Sequence, residues 1–133
     1  MSDVIEPIWV GLQVIVAAHD RQLAEHGGPP GVRDMGALES ALGRPVNQWH
    51  YGNTDMARFA AAYAFGLVRN HPFVDGNKRS AWIAARLFLS LNGEHLTFDR
   101  GDAIRTVLAA AAGELTEDEL ADWFRQHLAA AAD

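Results

Sequence analysis

The run Trp82 to Leu91 contains one charged residue, Arg86, in ten. A helix that is apolar nearly all round is stable only when neighbours enclose it, so this stretch predicts a cluster of helices around a buried central one. The neighbours are legible from spacing and caps. Pro7 suits the first turn of a helix running to about His26, with Ile8, Leu12, Ile15 and Val16 on one face. Gly27-Gly28-Pro29-Pro30-Gly31 ends it. Asp34 caps a short helix through Met35, Leu38, Ala41 and Leu42 that stops at Gly43 and Pro45. Thr54 or Asp55 starts another, whose Met56, Phe59, Ala60, Tyr63 and Leu67 keep a helical period. Asn92-Gly93 terminates the apolar helix, and Glu94 to Phe98 is a connector. Asp99 caps a helix to about Ala112, and Thr116 with Glu119 forms a capping box for a last one carrying Leu120, Trp123, Phe124 and Leu128. Ala129 to Ala132 reads as a fraying helical end. No repeat, low-complexity linker or strand pattern interrupts this, and the expectation is an all-α fold of about six helices.

At 133 residues the chain is long enough for one domain, residues 1–133, to bury a core without staples. It has no cysteine, which excludes a disulfide framework, a thiolate metal site and a cysteine nucleophile. The net charge of −6, from 17 acids against 11 Lys plus Arg, makes a poor general nucleic-acid binder. Asp3 and Glu6 are unlike the positive start of a signal peptide, and no uncharged apolar run is long enough to span a membrane. The composition reads as a cytoplasmic protein with no direct nucleic-acid or membrane partner.

Chemistry gathers in the nine residues His71-Pro72-Phe73-Val74-Asp75-Gly76-Asn77-Lys78-Arg79. Pro72 breaks the arriving helix and leaves His71 at its end. Asn77 is a good N-cap for the following helix, so Gly76 to Arg79 form a first turn whose free N–H groups and positive dipole end favour an anion. Gly76 lets the backbone approach that anion, Asn77 adds a side-chain donor, and Lys78 and Arg79 add two full charges. Lys78 is the one lysine in the chain, against ten arginines, which fits a point-charge phosphate contact. Asp75 stands where a carboxylate would hold magnesium beside phosphates. His71 carries the side chain best suited to take a proton from an incoming hydroxyl near neutral pH. Arg69, two residues before it, is a further phosphate contact, or simply a cation favoured by a helix C-terminus. Each of these residues alone has a structural explanation; their joint order at a helix start is what points to phosphoryl or nucleotidyl transfer.

This stretch resembles the signature of the Fic/Doc superfamily. The adenylylating Fic pattern is His-Pro-Phe-x-Asp/Glu-Gly-Asn-Gly-Arg-x-x-Arg; here Lys78 replaces the second glycine and Trp82 the final arginine, which resembles the death-on-curing (Doc) branch. Gly76 is Fic-like where the best-known Doc toxin has alanine. A second match, GVRDMGALESALGRP, resembles the segment Doc-like proteins carry in this position. The resemblance implies the Fic/Doc helical fold, with the HPFVDGNKR loop at the start of the buried central helix. It also implies a type II toxin–antitoxin toxin: a Mg-ATP-dependent phosphotransferase acting on a Ser or Thr hydroxyl of a protein, with elongation factor Tu as the suggested target and translation arrest as the outcome. In that reading His71, Asp75, Lys78 and Arg79 are catalytic, and Arg69, Gly76, Asn77, Lys78 and Arg79 bind the nucleotide's phosphates. The resemblance places a target-binding flap at Pro45 to Thr54, making Trp49 and Tyr51 target contacts; aromatic rings closing the edge of a small core explain them as well. Many Fic enzymes inhibit themselves through Ser/Thr-x-x-x-Glu-Gly/Asn. Neither Ser90 to Glu94, followed by His95, nor Ser2 to Glu6, followed by Pro7, completes that pattern, which implies inhibition in trans by a small antitoxin. The rival readings are adenylyl transfer by the same His71, a catalytically silent nucleotide- or antitoxin-binding module, and a metal hydrolase using His50, His71 and Asp75.

Overall fold

The computed structural model describes residues 4–129. Most of the alanine-rich end lies outside them, as does Ser2; Ala129 itself is not helical and donates its N–H to the His95 carbonyl. Six helices follow in order: α1 (Leu12–His26), α2 (Met35–His50), α3 (Met56–Asn70), α4 (Asn77–Leu91), α5 (Arg100–Ala111) and α6 (Glu117–His127). Among the described residues there is no strand, only two isolated bridges, Val32 with Phe73 and Leu96 with Leu128. No helix of the described residues is long and apolar enough to cross a membrane.

The central helix is α3, not the one after the loop. Ten of its residues are buried, among them Phe59, Tyr63, Leu67 and a run of alanines. The alanines let α2, α4, α5 and α6 approach it closely: a Cβ placed on Gly66 would lie 3.2 Å from Cα and Cβ of Ala41 in α2. Helix α4 buries Ala81, Ala84, Ala85, Phe88 and Leu89 but leaves Arg86, Ser90 and Leu91 exposed. Low charge in 82–91 overstated its enclosure, because small residues make a face easy to cover without surrounding the helix.

Two other boundaries differ from expectation for identifiable reasons. The first helix starts at Leu12, after an extended Gly11, rather than at Pro7. Ahead of it, Val10 N–H is donated to the Tyr63 hydroxyl, and Ile8 exchanges backbone hydrogen bonds with the Asn92 side chain. Trp9 packs on Phe59 and Phe88 while Val10 is also buried. Ile8 stays exposed, and the backbone groups of Ile8 and Val10 are taken by side chains of other elements rather than by a first helical turn. The second helix continues through Pro45 to His50. Proline removes one backbone bond there, but Arg44 and Gln48 both bond Glu117 of α6, anchoring the turns on either side. Trp49 and His50 are therefore helical.

Asp34 and Asp99 cap α2 and α5 as expected, Asp55 rather than Thr54 caps α3, and the Thr116/Glu119 box is present in both directions. Tyr63 provides a test of the core. Burial pushes its phenol up from 10.0 to about 12, against a smaller opposing effect of the Val10 backbone bond. The unfolded chain then ionises at a lower pH than the folded one, so stability present below pH 10 is lost as pH rises from there towards about 12. Denaturant midpoints across that window should fall in the parent protein and fall less in Tyr63→Phe; parallel slopes would show that Tyr63 is not the group responsible.

Candidate functional site

The loop between α3 and α4 is fixed from three sides. His71 ends α3 in the left-handed conformation, φ 47° and ψ 55°, and is the one non-glycine residue with positive φ among those described. Pro72 O accepts N–H groups of Arg33 and Asp34 at 2.7 and 3.0 Å, and Val74 N–H reaches Gly31 O at 3.1 Å. The Arg33 guanidinium donates to the carbonyls of Asn70 and His71. Phe73 is 1 % exposed and anchors the loop; its ring stacks on that of His19, 3.8 Å between centroids and 7° between planes. His19 Nε2 lies 2.7 Å from Asp75 O. Because that acceptor is a carbonyl, the bond requires the tautomer with its proton on Nε2. Gln22 Nε2 reaches Gly76 O at 3.4 Å.

Gly76, at φ 78° and ψ 20°, is the residue before α4, and Asn77 is the first helical one. Asn77 is therefore not the N-cap. Its side chain instead accepts from Phe73 N–H and donates to Phe73 O, both at 3.0 Å, clamping the loop to the helix start. Asn77→Ala leaves both Phe73 backbone groups without these partners, and about 1–3 kcal/mol of stability should be lost, seen in chemical denaturation; an unchanged midpoint would mean that water replaces the clamp. The left-handed φ at 76 favours glycine, and a Cβ there would lie 2.1 Å from the Gln22 amide nitrogen, so a larger residue would have to displace that side chain.

Above this loop opens a cavity of about 480 Å³ whose wall includes His71, Val74, Asp75, Gly76, Asn77, Lys78 and Arg79, with Gln22, Leu23 and Gly27 from α1 and the turn after it. His71, Asp75, Lys78 and Arg79 are exposed to it, and the first N–H groups of α4 belong to the same end of the helix. One carboxylate beside two cations and a helix N-terminus is a donor set that suits a magnesium–nucleotide complex, in which phosphates and water supply most metal ligands. It does not suit an all-protein metal cage: no three His, Asp or Glu of the described residues gather for one, and His50, at the end of α2, is not on the cavity wall. The trio His50, His71 and Asp75 is therefore not assembled.

Three other residues named from the sequence are not on this wall. The Arg69 guanidinium sits over the Phe65 ring at 5.8 Å and close to Gly113. Trp49 packs against the core, and Tyr51, 90 % exposed, follows the end of α2. Conversely, His19 and Gln22 were missed. Their spacing from Ile15, four and seven residues on, places two buried polar side chains on the apolar face of α1, and that pattern was available in the sequence.

Helices packed round α3 bring a histidine at its end and the first turn of α4 to one cavity. The Fic/DOC family model matches residues 9–89. The chain is 35% identical over 113 residues, 84% of its length and 89% of the relative's, to "Protein kinase doc" of Escherichia phage P1. It is 47% identical over 76 residues, 55% of its length and 58% of the relative's, to "Toxin Doc" of Mycolicibacterium smegmatis. The chain belongs to the Fic/DOC family and is a homologue of its Doc toxins.

Proposed function

We propose that this chain, acting as a single domain in the cytoplasm, is a Doc-type toxin that transfers the γ-phosphoryl group of ATP to a Ser or Thr hydroxyl of a target protein. The observation that carries the reading is the shared cavity: His71 at the end of α3 faces the same space as Asp75, Lys78 and Arg79 at the start of α4. A base and a phosphate-binding turn so placed bring nucleophile and phosphoryl group together. The relative named as a protein kinase supports phosphoryl transfer as the reaction.

His71 takes the proton as the hydroxyl oxygen attacks the γ-phosphorus, a new O–P bond forms, the bond to the bridging oxygen breaks, and ADP leaves. Asp75 would hold magnesium, which supplies charge neutralisation on the phosphate oxygens. Lys78 and Arg79 stabilise charge growing on the transferring and bridging oxygens, assisted by the Gly76–Arg79 backbone N–H groups. Lys78, where adenylylating relatives have glycine, crowds the turn and favours the nucleotide orientation that presents the γ-phosphate. Elongation factor Tu is the proposed target, with translation arrest following its modification, and a small antitoxin binding in trans is the proposed inhibitor.

The target proposal is tested by incubating purified elongation factor Tu with the protein and Mg-ATP and mapping modified residues by mass spectrometry. One phosphorylated Ser or Thr, absent when His71 is replaced, is the result foreseen. An unmodified factor, while another protein in an extract is phosphorylated, would overturn the target and leave the reaction standing.

A further inference from the structure

The second sequence match, the segment beginning Gly31-Val32-Arg33-Asp34, has no part in the chemistry above, yet it lies against the catalytic loop. We propose that Arg33 is a positioning residue that holds His71 in its left-handed conformation and so aims the imidazole into the cavity. The proposal rests on the reading of His71 as the base.

The last carbonyls of a helix lack intrahelical partners and carry the negative end of its dipole. Here two of them, Asn70 O and His71 O, receive one guanidinium: Arg33 Nε lies 2.9 Å from His71 O, and Nη2 reaches both that oxygen and Asn70 O, the latter at 3.2 Å. The planar fork of arginine can span two adjacent carbonyls; the single ammonium of lysine cannot do so with the same geometry. What it holds is unusual, since a non-glycine residue at positive φ is disfavoured and persists where surrounding contacts determine it. The Arg33 and Asp34 N–H groups on Pro72 O fix the next peptide, and the Val32–Phe73 bridge the one after. Within this segment the Arg33 side chain is the group that grips the His71 carbonyl itself. Arg33 is exposed and is not on the cavity wall, so it acts through His71 rather than on the substrate.

Its neighbour Asp34 does a different job. The Asp34 carboxylate caps α2 by accepting the Ala37 N–H at 3.0 Å. The pair therefore separates positioning from stability within two consecutive residues. Arg33→Ala should lower kcat for phosphoryl transfer by about ten- to a hundred-fold, the scale of a displaced catalytic group, while KM for ATP and the denaturation midpoint stay close to those of the parent. Added guanidinium at concentrations too low to denature should restore part of that kcat, and Arg33→Lys should lie between the two. Asp34→Ala should do the reverse, lowering the midpoint with kcat per folded molecule kept.

NMR signals of the His71 backbone and ring supply a readout independent of catalysis: they should shift in Arg33→Ala and move little in Asp34→Ala. Parent-like kcat in Arg33→Ala, or His71 signals unmoved by it, would overturn the proposal. If the parent protein transfers no phosphoryl group, the reading of the reaction fails instead, and the His71 signals still decide whether Arg33 positions that residue.

Discussion

His71→Ala should lower phosphoryl transfer by about 10²- to 10⁴-fold, the range contributed by a positioned general base. The ring is exposed and faces the cavity, so the folding midpoint should move little. ATP binding should be largely retained as well, because the turn proposed to bind phosphate belongs to α4 and is held by Gly76, Asn77 and the Gln22 side chain of α1. Single-turnover transfer and nucleotide titration on the same preparation measure both quantities. Loss of binding together with loss of transfer would mean that His71 shapes the nucleotide site rather than receiving a proton. Growth arrest on expression should disappear in the same variant.

Phe73→Ala should be the most destabilising change within the loop, costing about 3–5 kcal/mol as buried aromatic truncations do. The ring is 1 % exposed, stacks on His19 and lies between α1 and the start of α4. Its removal leaves a cavity beneath Asp75 and also leaves His19, itself 2 % exposed, without its packing partner. Urea denaturation gives the loss of stability, and transfer by the remaining folded protein should also decline, since the carbonyl of Asp75 is bonded to His19. A loss below about 1 kcal/mol would show that the loop collapses onto α1 without strain. His19→Phe distinguishes packing from hydrogen bonding: it preserves an aromatic ring against Phe73 and removes the bond to Asp75 O.

How much of this was legible in the sequence depended on whether the determining contact was local. Side-chain caps at Asp34, Asp99 and Thr116, and at Asp55 of the Thr54/Asp55 pair, were legible because a cap involves residues only two or three positions apart. The proposed chemistry of the loop could be stated from the sequence because one short stretch, His71 to Arg79, carries most of its residues. What failed was set by partners distant in the chain. Pro45 was read as a stop, but Glu117 holds the turns beside it. Pro7 was read as a helix start, but Tyr63 and Asn92 take the backbone groups that follow. Asn77 was read as a cap by its position, whereas the tight turn at Gly76 directs its amide back to Phe73. Arg69, two residues from His71, points elsewhere because a helix turns residues two apart onto different sides.

The same reasoning explains why the supporting residues of the loop were missed. His19, Gln22 and Arg33 lie 37 to 56 residues from the groups they bond. Two of them are polar side chains on the buried face of an otherwise ordinary amphipathic helix, and the third is an exposed arginine after a glycine-rich turn. His19 and Gln22 belong to no recognisable motif, and Arg33, though within the second match, gives no sign in the sequence of the carbonyls it bonds. The residues proposed for catalysis could be read as a string, while the residues that hold their loop required the fold.

The decisive measurement is label transfer. Purified protein, Mg-ATP and a bacterial extract are incubated in parallel reactions labelled at the γ- or the α-phosphate, with His71→Ala and chelated magnesium as controls. Protein-bound label from the γ-phosphate alone, abolished in both controls, is the outcome expected of a phosphotransferase with Lys78 in the turn. Label from the α-phosphate would contradict it and make the chain an adenylyl transferase despite that lysine.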